Sequence, residues 1–283
     1  MNLSFPLCSR QYFSAIVLVV SGFLLASQNS SSGQTVFSQN FSGGTNVSDF
    51  VGSGANLFDA ISTANSTNLS WSISSGMVQG VRSANSDGAV TRTTDLATSL
   101  GAIYQFDINV VDITTAATST LAFYVGSAFT TTTSAPNLAD VHSRFGINFT
   151  DATANSFVFR DIGGGTNGPT TFTGTASVFF VVNNTGSTFT YTAPNNTTQT
   201  VANDKWDLGV NTIQQFNEIG AQTATISPTD FKLQYELNDG QGTIQLDNFS
   251  ITAIPEPSTW LAGALALGAI GFMRLRRRAR VVS

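Results

Sequence analysis

Histidine and cysteine occur once each in the 283 residues, at His142 and Cys8. A zinc centre needs three or four ligands, so one built from His and Cys is excluded. A serine–histidine–aspartate triad would have only His142 to use. No nucleophile elbow of the Gly-x-Ser-x-Gly type is present, and Asp140-Val141-His142-Ser143 reads as the start of a strand. Cys8 falls in an apolar N-terminal leader, so the remainder has no thiol and no disulfide. A domain of about 220 residues must then rely on its hydrophobic core, which that length can supply.

Charge is also scarce, at 10% of residues, and unevenly placed. Arg10, Arg274, Arg276, Arg277, Arg278 and Arg280 lie at the two ends. Between the ends, six basic residues face sixteen acidic ones, which leaves a charge near −10. That excludes the basic footprint of a nucleic-acid-binding surface. Low charge does not mean disorder here, because 22 phenylalanines can build a core. Phe and Thr both favour pleated structure over helix.

The two ends carry address signals. Arg10 precedes the apolar run Ala15–Val20 and Phe23–Ala26, followed by the small residues Ser31-Ser32-Gly33. This is the charge, core and cleavage-site pattern of a secretory signal peptide over residues 1–33. Cleavage is expected after Gly33, or else after Ala26. At the other end stands Ile254-Pro255-Glu256-Pro257-Ser258-Thr259-Trp260, then an apolar run to Met273, then the arginine cluster. The two prolines end the sheet. Ser258–Met273 would span roughly 24 Å as a helix, shorter than a hydrocarbon core of about 30 Å. Trp260 and Arg274 suit its two interfaces, and the arginines hold the C-terminus on the cytoplasmic side.

Pro255-Glu256-Pro257, a short apolar transmembrane helix and terminal arginines, in that order, resemble the PEP-CTERM sorting signal of exosortase substrates. The resemblance covers residues 255–283. It implies processing by an exosortase near Pro255–Pro257 and inner-membrane anchoring in transit. Residence at the cell surface or in an extracellular matrix, with polysaccharide as a partner, would follow.

Residues 34–253 alternate with a period of two. Tyr104, Phe106, Ile108 and Val110 alternate with Gln105, Asp107 and Asn109; Phe231, Leu233, Tyr235 and Leu237 alternate with Lys232, Gln234, Glu236 and Asn238. Leu121, Phe123 and Val125 alternate with Ala122 and Tyr124. Each run predicts a strand with one buried and one wet face. About twelve such segments, with no helix between them, predict a single all-β domain, a two-sheet antiparallel β-sandwich or jelly roll. Ser177–Val182 and Ser187–Thr192 flank Asn183-Asn184-Thr185-Gly186, a predicted hairpin. Phe37–Ser42, Trp71-Ser72-Ile73, Lys205–Leu208 and the closing Ile244–Ile251 resemble the concanavalin A-like jelly roll of lectin and laminin-G domains. A galactose-binding-type sandwich would share the pattern.

Few residues offer chemistry. Jelly-roll glucanases set their carboxylates two and four apart on one strand face. Asp107 and Asp112 are five apart, and Glu236 has no acidic partner at either spacing. The expectation is a non-catalytic protein, with a carbohydrate-active enzyme as the alternative. Ile244 and Leu246 share one face and Phe249 and Ile251 the other, which predicts a bulge at Asp247-Asn248. By resemblance to carbohydrate-binding sandwiches, Asp247 with Asn40 could hold a structural calcium ion; the plainer reading is a bulge cap. Trp71 and Trp206 could stack a sugar ring, though their apolar context also suits a core. The glycine-rich stretch Asp161–Pro169 lacks the ending of a phosphate loop.

Overall fold

The computed structural model describes residues 33–97, 100–236 and 240–254. The expected signal peptide, the Pro255-Glu256-Pro257 motif, the apolar tail and the arginine cluster lie outside the described residues. Among the described residues no helix is long and apolar enough to cross a membrane.

Among the described residues sixteen strands follow one another. They are β1 (Gln34–Gln39), β2 (Ala60–Thr63), β3 (Leu69–Ser74), β4 (Met77–Arg82), β5 (Gly88–Arg92), β6 (Gly101–Thr115), β7 (Ala117–Gly126) and β8 (Val141–Asp151). Then come β9 (Ser156–Asp161), β10 (Thr166–Asn183), β11 (Phe189–Thr192), β12 (Thr198–Val201), β13 (Lys205–Val210), β14 (Ile213–Gly220), β15 (Asp230–Tyr235) and β16 (Gln241–Ala253). The excess over the expected dozen comes largely from four-residue strands such as β2, β11 and β12, too short to show a period.

The fold is an all-β antiparallel sandwich. One sheet runs β3-β4-β16-β6-β10-β13-β14, with β1 alongside β16. The other runs β2-β5-β15-β7-β8-β9-β10. Strand β10 belongs to both: its first half pairs with β9, and its second half, from Gly174, pairs with β6 and β13. Gly174 has φ +65°, and there the strand turns the corner between sheets.

Because β6 and β13 occupy both edges of β10's second half, the predicted β10–β11 hairpin cannot form. Strand β11 pairs instead with β12 in a separate ribbon. The Asn183 side chain ties the connection, donating to the carbonyls of Ser187 and Val201 (both 2.8 Å).

The inward rows meet in a phenylalanine core. Phe106 stacks on Phe249 at 5.0 Å and on Phe123 at 5.1 Å, and Phe37, Phe58 and Phe231 meet edge to face. Each such fully buried ring is worth about 1.5–3 kcal/mol relative to exposure. The bulge expected in the last strand is present: Asn248 has φ +53°, and the β16–β6 register shifts between Asp247 and Ser250.

The outer faces differ from the simple wet-face expectation. On the second sheet Lys232, Gln234, Ala122 and Tyr124 are all buried, because residues 127–140 cross over them. Phe129 packs there with Ala122, Tyr124 and Val141. On the first sheet the β11–β12 ribbon covers Ile103, Phe179 and Val181, and its Tyr191 donates to the buried Asp207 Oδ2 on β13 (2.7 Å).

Candidate functional site

Along the open part of the first sheet, one register row crosses five strands: Ser72, Gln79, Gln245, Asn109 and Thr175. All five point outward by alternation from the buried Val78, Leu246, Ile108 and Ala176. Asn109 Nδ2 donates to Gln245 Oε1 (2.9 Å), and Gln245 Nε2 donates to Gln79 Oε1 (3.0 Å). A carboxamide has two donors and two acceptor lone pairs, so this ladder leaves capacity facing solvent.

The next row holds charge. Asp247 stands opposite Asp107, and Asp107 opposite Ser177. Ser177 Oγ donates to Asp107 Oδ1 (2.5 Å) and Asn248 Nδ2 donates to Oδ2 (2.8 Å). Asp247 Oδ1 is buried without a hydrogen-bond partner. Its carboxyl is pushed above the usual range, by burial first and by the Asp107 charge as well. The bulge thus sets Asp247 opposite Asp107. Asn40 turns its carboxamide oxygen onto its own loop, accepting from Ser42 N (3.3 Å) and Oγ (2.9 Å). No group of three acidic, His or Cys side chains suited to a metal occurs among the described residues.

The tryptophans also sit differently from a sugar-stacking platform. Trp206 is 2% exposed and packs edge-on against Phe180 and Phe216. Trp71 lies over Gly80 and against Tyr235, and its Nε1 donates to Ser62 O (2.9 Å), tying the two sheets together. Both rings spend their faces on protein, as their alternating apolar context allowed. His142 is fully buried, and burial lowers its pKa to about 4.

Beneath residues 127–140 the second sheet carries a buried polar layer. Lys232 Nζ donates to the carbonyls of Thr132 (2.8 Å) and Ser134 (2.9 Å), and Asp230 Oδ2 accepts from Phe129 N (2.9 Å). Tyr124 OH donates to Glu236. Burial lowers Lys232 to about 8 and raises Asp230 to about 6.

A cleft of about 330 Å³ opens between the turn after β9 and the segment after β14. Arg144, Asp161, Gly164, Trp206 and Gln222 line it. Sequence reading passed over the amide row, Asp107 as a partner of Asp247, and Arg144. Only the outward alternation of Asn109 and Gln245 and the glycine-rich stretch after Asp161 hinted at them.

No protein-family model and no curated protein sequence matches the chain. Solved structures of similar shape include an alginate lyase, Aly36B, in complex with alginate trisaccharide, at 12% identity, 80% of this chain, 100% of that chain and TM-score 0.45. Another is a protein of unknown function with a galectin-like fold from Bacillus subtilis, at 8% identity, 78% and 97% coverage and TM-score 0.45. A third is the carbohydrate recognition domain of Emp47p, at 7% identity, 80% and 99% coverage and TM-score 0.46. None of the three reaches a TM-score of 0.5.

Proposed function

We propose that this is an exported, non-catalytic surface or matrix protein that associates with extracellular polysaccharide through the open face of its first sheet. The carrying observation is the hydrogen-bonded amide row Gln79–Gln245–Asn109, flanked by Ser72 and Thr175. Five adjacent strands at about 4.8 Å spacing make a track of roughly 19 Å. Polyhydroxylated chains offer alternating donors and acceptors, and fixed amides match them without the desolvation cost of buried charge. The sorting half of the proposal rests on sequence: the leader, Pro255-Glu256-Pro257, the short apolar run and the arginines fit an exosortase substrate that passes through the membrane and is then released.

The test is co-sedimentation or affinity electrophoresis of the full chain with a panel of neutral and acidic bacterial polysaccharides. Retardation by at least one, lost in Gln245→Ala and Asn109→Ala with unchanged thermal midpoint, is the expected result. Binding that survives both changes would sink the face as the site.

One observation favours a second reading, a carbohydrate-active enzyme. Asp107 and Asp247 share a face, and the Asp247 carboxyl is raised, as an acid–base pair requires. Product release from a bound polysaccharide that Asp247→Asn abolishes would replace the binding proposal with this one.

A further inference from the structure

The amide row on the first sheet runs between carboxylates. Two residues along the strands on one side of it stand Asp107 and Asp247, directly opposite each other. Two residues from Gln245 on the other side is Thr243, and the exposed Asp112 stands opposite it. Each flank is thus about 7 Å from the row. Among the described residues of β3, β4, β6, β10 and β16 the one basic side chain is Arg82, and it is buried against the Tyr235 ring. These five strands therefore present acids outward and no exposed base. The charge acting on the Asp247 carboxyl is the like charge of Asp107. The pair is reachable from solvent. Ser177 and Asn248, which donate to Asp107, are exposed, and Asp107 and Asp247 are partly so.

Like charges directly opposite each other are destabilising. A face of one sign draws partners of the other sign and repels its own. We infer that the polysaccharide this face takes is one bearing free amino groups, whose ammoniums lie over the acids while its hydroxyls follow the amide row. The inference rests on the reading of this face as a polysaccharide site and adds the charge of its ligand. An ammonium above Asp107 and Asp247 relieves their repulsion through space, so it need not touch the buried Asp247 Oδ1. Its three hydrogens are left for the outward carboxylate oxygens, as charge-assisted bonds. A uronate polymer meets like charge at both flanks. A basic peptide shares the sign but not the fit, because the surface between the acids is made of amides and hydroxyls, from Ser72, Gln79, Gln245, Asn109 and Thr175. Sugar hydroxyls use those groups, and the apolar stems of lysines do not.

The test is calorimetric titration of the full chain with a glucosamine tetramer, the N-acetylglucosamine tetramer, a galacturonate tetramer and tetralysine, at about pH 6, where the amines are charged. The glucosamine tetramer should bind about tenfold or more tightly than its N-acetylated counterpart, and salt should shrink that preference. Asp107→Asn combined with Asp247→Asn should reduce the preference to about twofold or less, by removing both charges while keeping the side-chain shapes, and should leave the affinity for the N-acetylated tetramer unchanged. Asp247→Asn alone should lower the preference part-way, and it decides if the double variant does not fold. Asp95→Asn is the control. Asp95 is an exposed acid after β5, next to Leu96, whose N–H donates to Thr229 O (2.8 Å) beside the second sheet. Removing its charge should leave the preference intact. The inference is overturned if the two glucosamine-type tetramers bind equally, if the galacturonate or lysine tetramer binds more tightly than the glucosamine one, or if the preference survives the double variant. In those cases the amide row still stands as a glycan site so long as Gln245→Ala abolishes binding. Binding that survives both Gln245→Ala and Asn109→Ala, or no binding of any glycan, overturns the site and this inference together.

Discussion

Asp247 on β16 lies directly opposite Asp107 on β6, two carboxylates in a register where neutral or opposite partners are the stable choice. Ser177 and Asn248 satisfy Asp107, but Asp247 Oδ1 is buried and unpaired. The arrangement costs stability that grows as pH rises through the raised Asp247 pKa, because the folded state holds that proton more tightly than the unfolded chain. Asp247→Asn should therefore stabilise the protein at pH 7, by up to about 1 kcal/mol in urea unfolding. A calcium ion between the carboxylates would reverse the sign: in millimolar calcium the variant would then be the less stable form.

His142 predicts a pH dependence. It is fully buried and neutral, with a pKa lowered to about 4 by burial. Between pH 6.5 and 4 the unfolded state binds a proton that the folded state does not, so this residue's contribution is present above pH 6.5 and is lost as pH falls. Asp230, raised to about 6 by burial, acts in the opposite sense, losing stability as pH rises through the same window. The two partly cancel in the wild type. Against His142→Asn, the wild type should lose about 3 kcal/mol of relative stability between pH 7 and pH 4. Against Asp230→Asn the trend should invert.

Lys232 pins residues 127–140 across the second sheet through the carbonyls of Thr132 and Ser134. Lys232→Met keeps the buried stem and removes both bonds. It should cost about 2 kcal/mol, as expected for hydrogen bonds from a charged donor. Hydrogen exchange should accelerate in residues 127–140 while the amides of β6 and β10 stay protected. Uniform acceleration across both sheets would show that the crossing segment is not held separately.

Gly174 tests the corner of β10. A Cβ there would meet only Asn109 Oδ1, at 4.0 Å, so space is not the constraint; φ +65° is. Gly174→Ala should cost about 1 kcal/mol from backbone strain alone. Gly88→Ala provides the contrast. Its Cβ would fall 2.0 Å from Leu69 Cδ2 and 3.1 Å from Trp71 Nε1, so overpacking of about 1–3 kcal/mol should be accompanied by a shift in tryptophan fluorescence.

The period-two runs by themselves determined the all-β class, the inward rows Tyr104–Val110 and Phe231–Tyr235, and the bulge at Asp247-Asn248. These follow from side-chain alternation along one strand, a local property that needs no partner. Scarcity of His and Cys limited the chemistry in the same direct way. Pairing partners are another matter, since an edge can be used only once. The predicted hairpin after β10 failed because β6 and β13, distant in sequence, had already taken both edges. The wet face expected for Lys232 and Tyr124 is covered, because residues 127–140 cross it, and no alternation reveals a crossing. Trp206 went into the core rather than to the surface for want of a free face. Arg144 and Asp161, seventeen positions apart on neighbouring strands, border one cleft only because the segment after β14 closes its other side. Tertiary structure alone decided which acids meet, which charges stay apart and which face of each sheet remains open.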